Sequence, residues 1–191
     1  YRLLHRQDNA DERLSAIGHR IGLVSDARFA AVQEKYRLVD AECARLEKTH
    51  LAPTPALAAM LTARGTAPTS SGVSLADLLR RPQITYADLA PFDSARPELP
   101  RVVTEQAEIR LKYAGYIQRQ LRQVAEFTRL EERLLPQDLD YQKVSCLRLE
   151  ARQKLNDIRP ASLGQASRIS GVSPADIATL MVYLESREGQ K

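Results

Sequence analysis

The side chains best suited to chemistry in this sequence are His5, His19 and His50, Cys43 and Cys146, and the acid pair Asp138 and Asp140. A structural or catalytic metal needs His and Cys ligands grouped at short spacing. No histidine here lies near another His or a Cys at such spacing, and the cysteines form no CxxC. Their plain reading is two unpaired thiols in a reducing cytosol, which places the chain in the cytoplasm. Asp138 and Asp140 flank Leu139 in a polar linker, which reads as solvated chain rather than an acid–base pair. No GxGxxG, Walker loop or GxSxG occurs, so no phosphate cradle or nucleophile elbow is expected. The expected catalytic, cofactor-binding and metal residues of this chain are therefore none, and the residues describe an interaction module.

One set of charges does carry a pattern. A long helix is predicted over about 102–134, stopped by Pro136. At 100° per residue, Lys112, Arg119, Arg122, Arg129 and Arg133 gather on one face. Ile109, Tyr113, Tyr116, Ile117, Leu121, Val124 and Phe127 gather on another. The basic face has two open readings. It is a rail for phosphates, or a solvated face neutralised by Glu108 with Lys112 and by Glu126 with Arg122 and Arg129. The tyrosines likewise are either packed with their hydroxyls bonded or free to stack on bases. Gly115 between them costs about 1 kcal/mol against Ala in a helix and would let another helix or backbone approach. A formal charge of +4, from 28 basic and 24 acidic residues, permits a nucleic-acid partner without requiring one.

The elements that position these residues read as helices throughout. Among 191 residues there is no Trp and only 5% aromatics, so Leu, Ile, Val and Ala must fill the core. Asp8 or Asn9 can cap a first helix to Gly22, with Leu14, Ile17 and Ile21 at helical spacing. Ser25 opens a second to about Lys48, with Phe29, Val32, Tyr36, Val39 and Cys43 as its stripe. Thr54-Pro55 starts a short Ala-rich helix ending before Gly65, and Ser74-x-x-Asp77 caps another, stopped by Pro82. Thr85 caps one more turn. Residues 91–100 carry three of the ten prolines and read as a connector between two helical parts. After the long helix and LPQDLDY come a helix over about 147–157, a Ser162-x-x-Gln165 capping box, a left-handed turn at Gly171, and a last helix capped by Ser173-Pro174. In that helix Ile177, Leu180, Met181 and Leu184 point inward, while Val182 and Tyr183 point elsewhere. No apolar run approaches the ~20 residues of a membrane span. The fold class is all-α: a long-helix bundle followed by a small C-terminal group of short helices.

Several stretches together resemble one family. They are YRLLHRQDNADERLSAIG, DLLRRPQITYADL, EIRLKYAGYIQRQ, LLPQDLDYQKVSCL and PASLGQASRISGVSPADIATLMVYL, in that order. The chain resembles the C-terminal helical part of the glucose-inhibited division protein A family, the flavin subunit of a tRNA uridine-modifying enzyme. Lys112, Tyr113, Gly115, Tyr116 and Arg119 match its KYxGYIxR motif. Gln165, Ala166, Ser167, Arg168 and Gly171 match its PASxGQASRISGVxP motif. His5 departs from a more usual Leu, and Cys146 stands where the family more often has Gly, which leaves the turn before the 147–157 helix in question.

The resemblance implies that the chain, which starts at Tyr1 inside structured sequence, is a piece of a longer protein. Its 1–95 segment would follow a flavin domain, 96–140 would be the long helix and linker, and 141–191 a small bundle. The longer protein would bind FAD, use a nicotinamide reductant and a folate one-carbon donor, and form a homodimer. With a tRNA modification GTPase it would modify the wobble uridine of tRNA. This helical part would dock the GTPase and help bind tRNA, with no membrane partner. Contact candidates are Lys112, Tyr113, Gly115, Tyr116, Arg119, Arg122, Gln165, Arg168, Gly171, Val182 and Tyr183. Two alternatives stand beside this. Gly171-Val172-Ser173 followed by Ile177 has the look of a helix-turn-helix DNA binder, although that helix presents Asp176, Thr179, Tyr183 and Glu185 before any Arg. A structural dimerisation domain is the other.

Overall fold

Helix-start chemistry lays out the chain in the computed structural model, which describes residues 1–188. In order come α1 (Ala10–Arg20), α2 (Asp26–Lys48), β1 (His50–Leu51), α3 (Pro55–Ala63), β2 (Val73–Ser74), α4 (Leu75–Leu79), α5 (Arg101–Glu132), α6 (Leu149–Ile158), α7 (Leu163–Ser167) and α8 (Pro174–Glu188). The fold is all-α apart from β1 and β2, which pair antiparallel with His50 opposite Ser74. The side chains of Ser25, Thr54, Ser74 and Ser162 accept hydrogen bonds from Arg28, Leu57, Asp77 and Gln165 backbone N–H groups, each stabilising its helix start. Asn9 sits at the start of α1 without capping it. Its Oδ1 instead accepts from the Arg6 N–H at 3.2 Å and from Arg13 Nε at 2.9 Å.

The chain divides into two compact units, 1–119 and 120–191. The division falls within α5 and not at the proline-rich stretch 91–100. The reason is local: Val103, Ala107 and Leu111, just after those prolines, are buried in the first unit. They pack in two clusters. Leu111 joins Leu46, Leu57, Leu61, Leu75, Leu78, Leu79, Ile84 and Leu89, while Val103 and Ala107 join Tyr36 and Val39. The α2 stripe is therefore inward at Tyr36 and Val39, and Cys43 half-buried against it has its thiol pushed up to about 11 by burial. By contrast Leu14 and Ile17 of α1, and Ile21 just after it, are exposed. That helix instead turns Asp11 toward Lys35 Nζ and the Tyr36 hydroxyl, at 2.8 and 2.6 Å.

Buried charge, absent from the sequence reading, ties the first unit together. Arg45 donates to Glu42 through Nε and Nη2, both at 2.8 Å, and to Asp93 through Nη1 at 3.0 Å and Nη2 at 2.6 Å. Both acids are buried. The Tyr86 hydroxyl donates to Glu42 at 2.7 Å, and burial with that carboxylate pushes the phenol up to about 12.

The second unit encloses Leu135, Leu139, Tyr141, Val144, Leu155, Leu163 and Ala166 with Ile177, Leu180 and Leu184 of α8, as the α8 spacing predicts. Met181 is partly buried against them, and so is Tyr183. Ser173 and Asp176 form the α8 start: Asp176 Oδ2 accepts from the Ser173 N–H at 2.8 Å, from its hydroxyl at 2.7 Å, and from Arg148 Nη2 at 2.6 Å. The Arg148 guanidinium, ahead of the serine bonds, holds this carboxyl far below the usual range.

Two stability outcomes follow from these clusters. Arg45→Met leaves two buried carboxylates without their cation, so the unfolding free energy of residues 1–119 should fall by about 3–5 kcal/mol in chemical denaturation. An unchanged midpoint would show that water replaces the guanidinium. For Asp176, the folded carboxyl is depressed, so its stabilisation is complete above the unfolded value of about 3.9 and is lost as pH falls through the folded value. The melting-temperature gap between the unmodified chain and Asp176→Asn should therefore be widest above about pH 4 and shrink toward strong acid. A gap that is constant with pH counts against the ion pair.

Candidate nucleic-acid interface

Helix α5 forms because its sequence is rich in Leu, Arg, Gln, Glu and Ala, all strong helix formers. Its first three turns are anchored by buried Val103, Gln106, Ala107 and Leu111. From Lys112 to Glu132 no residue is buried. The apolar face continues regardless, so Tyr113, Tyr116, Leu121 and Phe127 are exposed, Tyr116 by 61%. Neither tyrosine hydroxyl has a hydrogen bond among the described residues. Core packing of these rings is thus not what the fold does with them, because the helix has left the core by then.

The basic face is only partly neutralised. In the first unit, Lys112 Nζ donates to Glu108 Oε1 at 2.8 Å and to the Pro82 carbonyl at 3.4 Å. Glu108 is further engaged at Oε2 by the Tyr86 N–H at 2.7 Å. Arg119 is exposed and makes no hydrogen bond or ion pair among the described residues. The Arg6 guanidinium, held by Asp8, covers the Tyr113 ring at 5.3 Å, whereas the Tyr116 ring is tilted 6.5 Å from Tyr113. A Cβ added at Gly115 would meet nothing within 4 Å, so no other segment among the described residues approaches that backbone.

In the second unit, Arg122 and Arg129 are exposed without partners among the described residues, and Glu126 pairs with neither. Arg133 does bond Glu185, at 3.2 Å. Gln165 is exposed and turns its Oε1 to the Ala161 N–H at 2.8 Å, completing a capping arrangement with Ser162. Arg168 is exposed but ion-paired with Glu131. Gly171 has φ +96°, as its place in the turn predicts, and its carbonyl accepts from Arg148 Nη2 at 2.9 Å. Val182 is exposed beside a cleft of about 420 Å³ that Cys146, Ala178, Thr179 and Tyr183 also line. The contact candidates are thus distributed: Lys112, Tyr113, Gly115, Tyr116 and Arg119 share the first unit, and Arg122, Gln165, Arg168, Gly171, Val182 and Tyr183 the second. The Arg148–Asp176 pair escaped the sequence reading. Asp176 at the third helical position was its only signal, and the cation lies 28 residues away.

Cys146 resolves the question of the turn before α6. It adopts φ +70°, so the chain makes a glycine-type turn with a cysteine in it.

The fold and these faces define a class: a two-unit, all-helical protein whose longest helix presents cations and aromatic rings outward. Among the described residues there is no group of three His, Cys, Asp or Glu placed to hold a metal, and no helix long and apolar enough to cross a membrane. Residues 26–121 match the family model of the tRNA modifying enzyme MnmG/GidA C-terminal helical domain, and residues 123–191 that of its C-terminal helical bundle. Over the whole chain it is 50% identical to the tRNA uridine 5-carboxymethylaminomethyl modification enzyme MnmG of Caldicellulosiruptor saccharolyticus, spanning 31% of that protein. It is 51% identical to the MnmG of Lachnoclostridium phytofermentans, spanning 30% of it. The solved structure of Aquifex aeolicus GidA in its form II crystal superposes with a TM-score of 0.59 at 32% identity, over 94% of this chain and 28% of that one. The chain belongs to the MnmG/GidA family of tRNA modifying enzymes, and corresponds to their C-terminal helical region.

Because a cysteine occupies a left-handed position, Cys146→Gly should stabilise residues 120–191 by about 1 kcal/mol. A melting temperature that does not rise would mean the cysteine side chain gains more from its cleft than its backbone loses.

Proposed function

We propose that this chain is the non-catalytic helical module of a FAD-dependent tRNA-modifying enzyme that carboxymethylaminomethylates the wobble uridine. In this reading it binds tRNA along α5 and docks the partner tRNA modification GTPase through its second unit. The observation that carries the reading is Arg119, exposed and without an ion pair among the described residues, on a helix that also exposes the Tyr116 ring; Arg122, in the second unit, is likewise exposed and without a partner among the described residues. Unpaired guanidinium groups gain most from phosphate, since no internal carboxylate has to be displaced. The names of the relatives, all tRNA uridine modification enzymes, support tRNA as the polyanion. For the GTPase, the support is the exposed Val182 beside the Cys146–Tyr183 cleft.

The flavin does not fit these residues. A dinucleotide is held by a βαβ unit with a glycine-rich first turn, and the strands described here are two residues each. FAD and its nicotinamide reductant accordingly belong to the remainder of a protein of the relatives' length, in which homodimer formation is also proposed, and no flavin step is assigned to this chain. The helix-turn-helix reading is weaker: α8 presents Ala175, Ala178 and Val182 outward, and Arg187 lies 3.5 Å from Asp138.

Titration of the chain with tRNA across a salt series tests this reading. Arg119→Ala and Arg122→Ala should each lower the log K against log salt slope by about one unit, and Arg168→Ala by less, because Glu131 already neutralises it. Equal affinity for tRNA and duplex DNA would favour the DNA-binding alternative, and no tRNA binding at low salt would remove the RNA role altogether. Val182→Asp should abolish capture of the purified GTPase while leaving the salt slope intact.

A further inference from the structure

Gly115, Tyr116 and Arg119 lie three, four and seven residues after Lys112, so Gly115 shares the basic face of α5 with Lys112 and Arg119, and Tyr116 stands at the adjoining edge of the apolar face, all within the first unit. Gly115 makes a bare patch on the basic face. A Cβ added there meets nothing within 4 Å, and its backbone is helical rather than left-handed. Neither packing nor backbone conformation within the described residues calls for glycine. Glycine is among the poorest helix formers, and from Lys112 onward no residue of α5 is buried to compensate, the nearest being Leu111 one turn before Gly115. What glycine offers at such a position is uncovered backbone that another molecule can approach closely.

The neighbouring side chains indicate what kind of molecule. Arg119 is exposed and has no ion pair among the described residues, and the Tyr116 ring is open. The carboxylate of Glu108 on this side is already taken by Lys112 and the Tyr86 N–H. Gln118, beside Gly115, is polar and exposed. A protein helix packing on glycine would need apolar flanks on this face, and it has cations. A polyanion backbone matches instead: phosphate against Arg119, and ribose or base against the Tyr116 ring. Resting on the tRNA-binding reading above, we propose that Gly115 is the floor of a tRNA-backbone contact between Lys112 and Arg119, kept free of a side chain at the expense of helix stability.

This predicts opposite signs in two measurements on the same 191-residue chain. Gly115→Ala and Gly115→Leu both replace glycine by a better helix former, so both should raise the melting temperature, by roughly 2–4 °C for a chain of this size. Both should weaken tRNA binding at fixed salt, by about threefold for Ala and tenfold or more for Leu. The salt slope should stay near that of the unmodified chain, since no charge is lost. Higher thermal stability with unchanged tRNA affinity would overturn the proposal while leaving the tRNA-binding reading intact. Loss of GTPase capture with unchanged tRNA affinity would overturn it in favour of a protein helix. If the unmodified chain binds no tRNA at low salt, the underlying reading fails first and this contact with it.

Discussion

Arg45 holds two buried carboxylates in place, and the first unit is arranged around that fork. Glu42 lies one turn before it on α2, and Asp93 lies 48 residues away in the segment that precedes α5. A planar guanidinium can serve two carboxylates at once, which an ammonium cannot do with the same geometry. Isolated buried carboxylates would be costly, and the paired arrangement becomes tolerable only when every oxygen is satisfied. Tyr86 supplies one of those bonds to Glu42. Its own N–H reaches Glu108 on α5, its carbonyl accepts from Arg96 at 2.9 Å, and the Arg96 guanidinium lies 4.0 Å over its ring. Through this chain of contacts, α2, the 84–96 segment and the start of α5 are fixed in mutual register. The anchoring of α5 by Val103, Ala107 and Leu111 then determines which face of its next turns points outward.

The same helix passes from one energetic regime to another. Up to Leu111 it is stabilised by burial in the first unit, through its exposed middle turns by propensity, and at its end by Leu130 against the core of the second unit and Glu131 with Ser162 and Arg168. An exposed helix stretch made of Arg, Gln, Glu, Ala and Leu persists on propensity, whereas a glycine in it works against that. Such stretches are where a chain has freedom to present function, because no packing partner dictates side-chain choice. Lys112, tied to Glu108, stands at the transition. Arg119 and Arg122 beyond it have no ion pair among the described residues.

The second unit relies on shorter devices. Ser162 and Ser173 start α7 and α8, Gly171 turns the chain between them, and Arg148 seals the α8 start through Asp176. α7 is only five residues long, so the capping bond is a large share of what defines it. The left-handed Cys146 shows that the turn geometry is imposed by its surroundings: residues 144 and 147 on either side are buried in the core. The backbone conformation is retained even with a residue that disfavours it.

Local rules in the sequence determined the helix starts at Ser25, Thr54, Ser74 and Ser162, the inward face of α8 and the left-handed turn at Gly171, because each depends on residues within a turn or two of one another. The motif residues of the candidate interface were legible for the same reason. Periodicity alone, however, placed Tyr113 and Tyr116 on an apolar face without telling whether anything covers it, and treated Leu14, Ile17 and Ile21 in the same way. Which stripe is buried is decided by what packs against it, and for α1 that is the polar side facing Lys35 and Tyr36. Pairings such as Arg45 with Asp93 and Arg148 with Asp176 join residues 48 and 28 positions apart, and no local pattern announces them. Only the tertiary structure decided which charges are spent inside the protein and which are left to face a partner, since neutralisation depends on distance in space rather than along the chain.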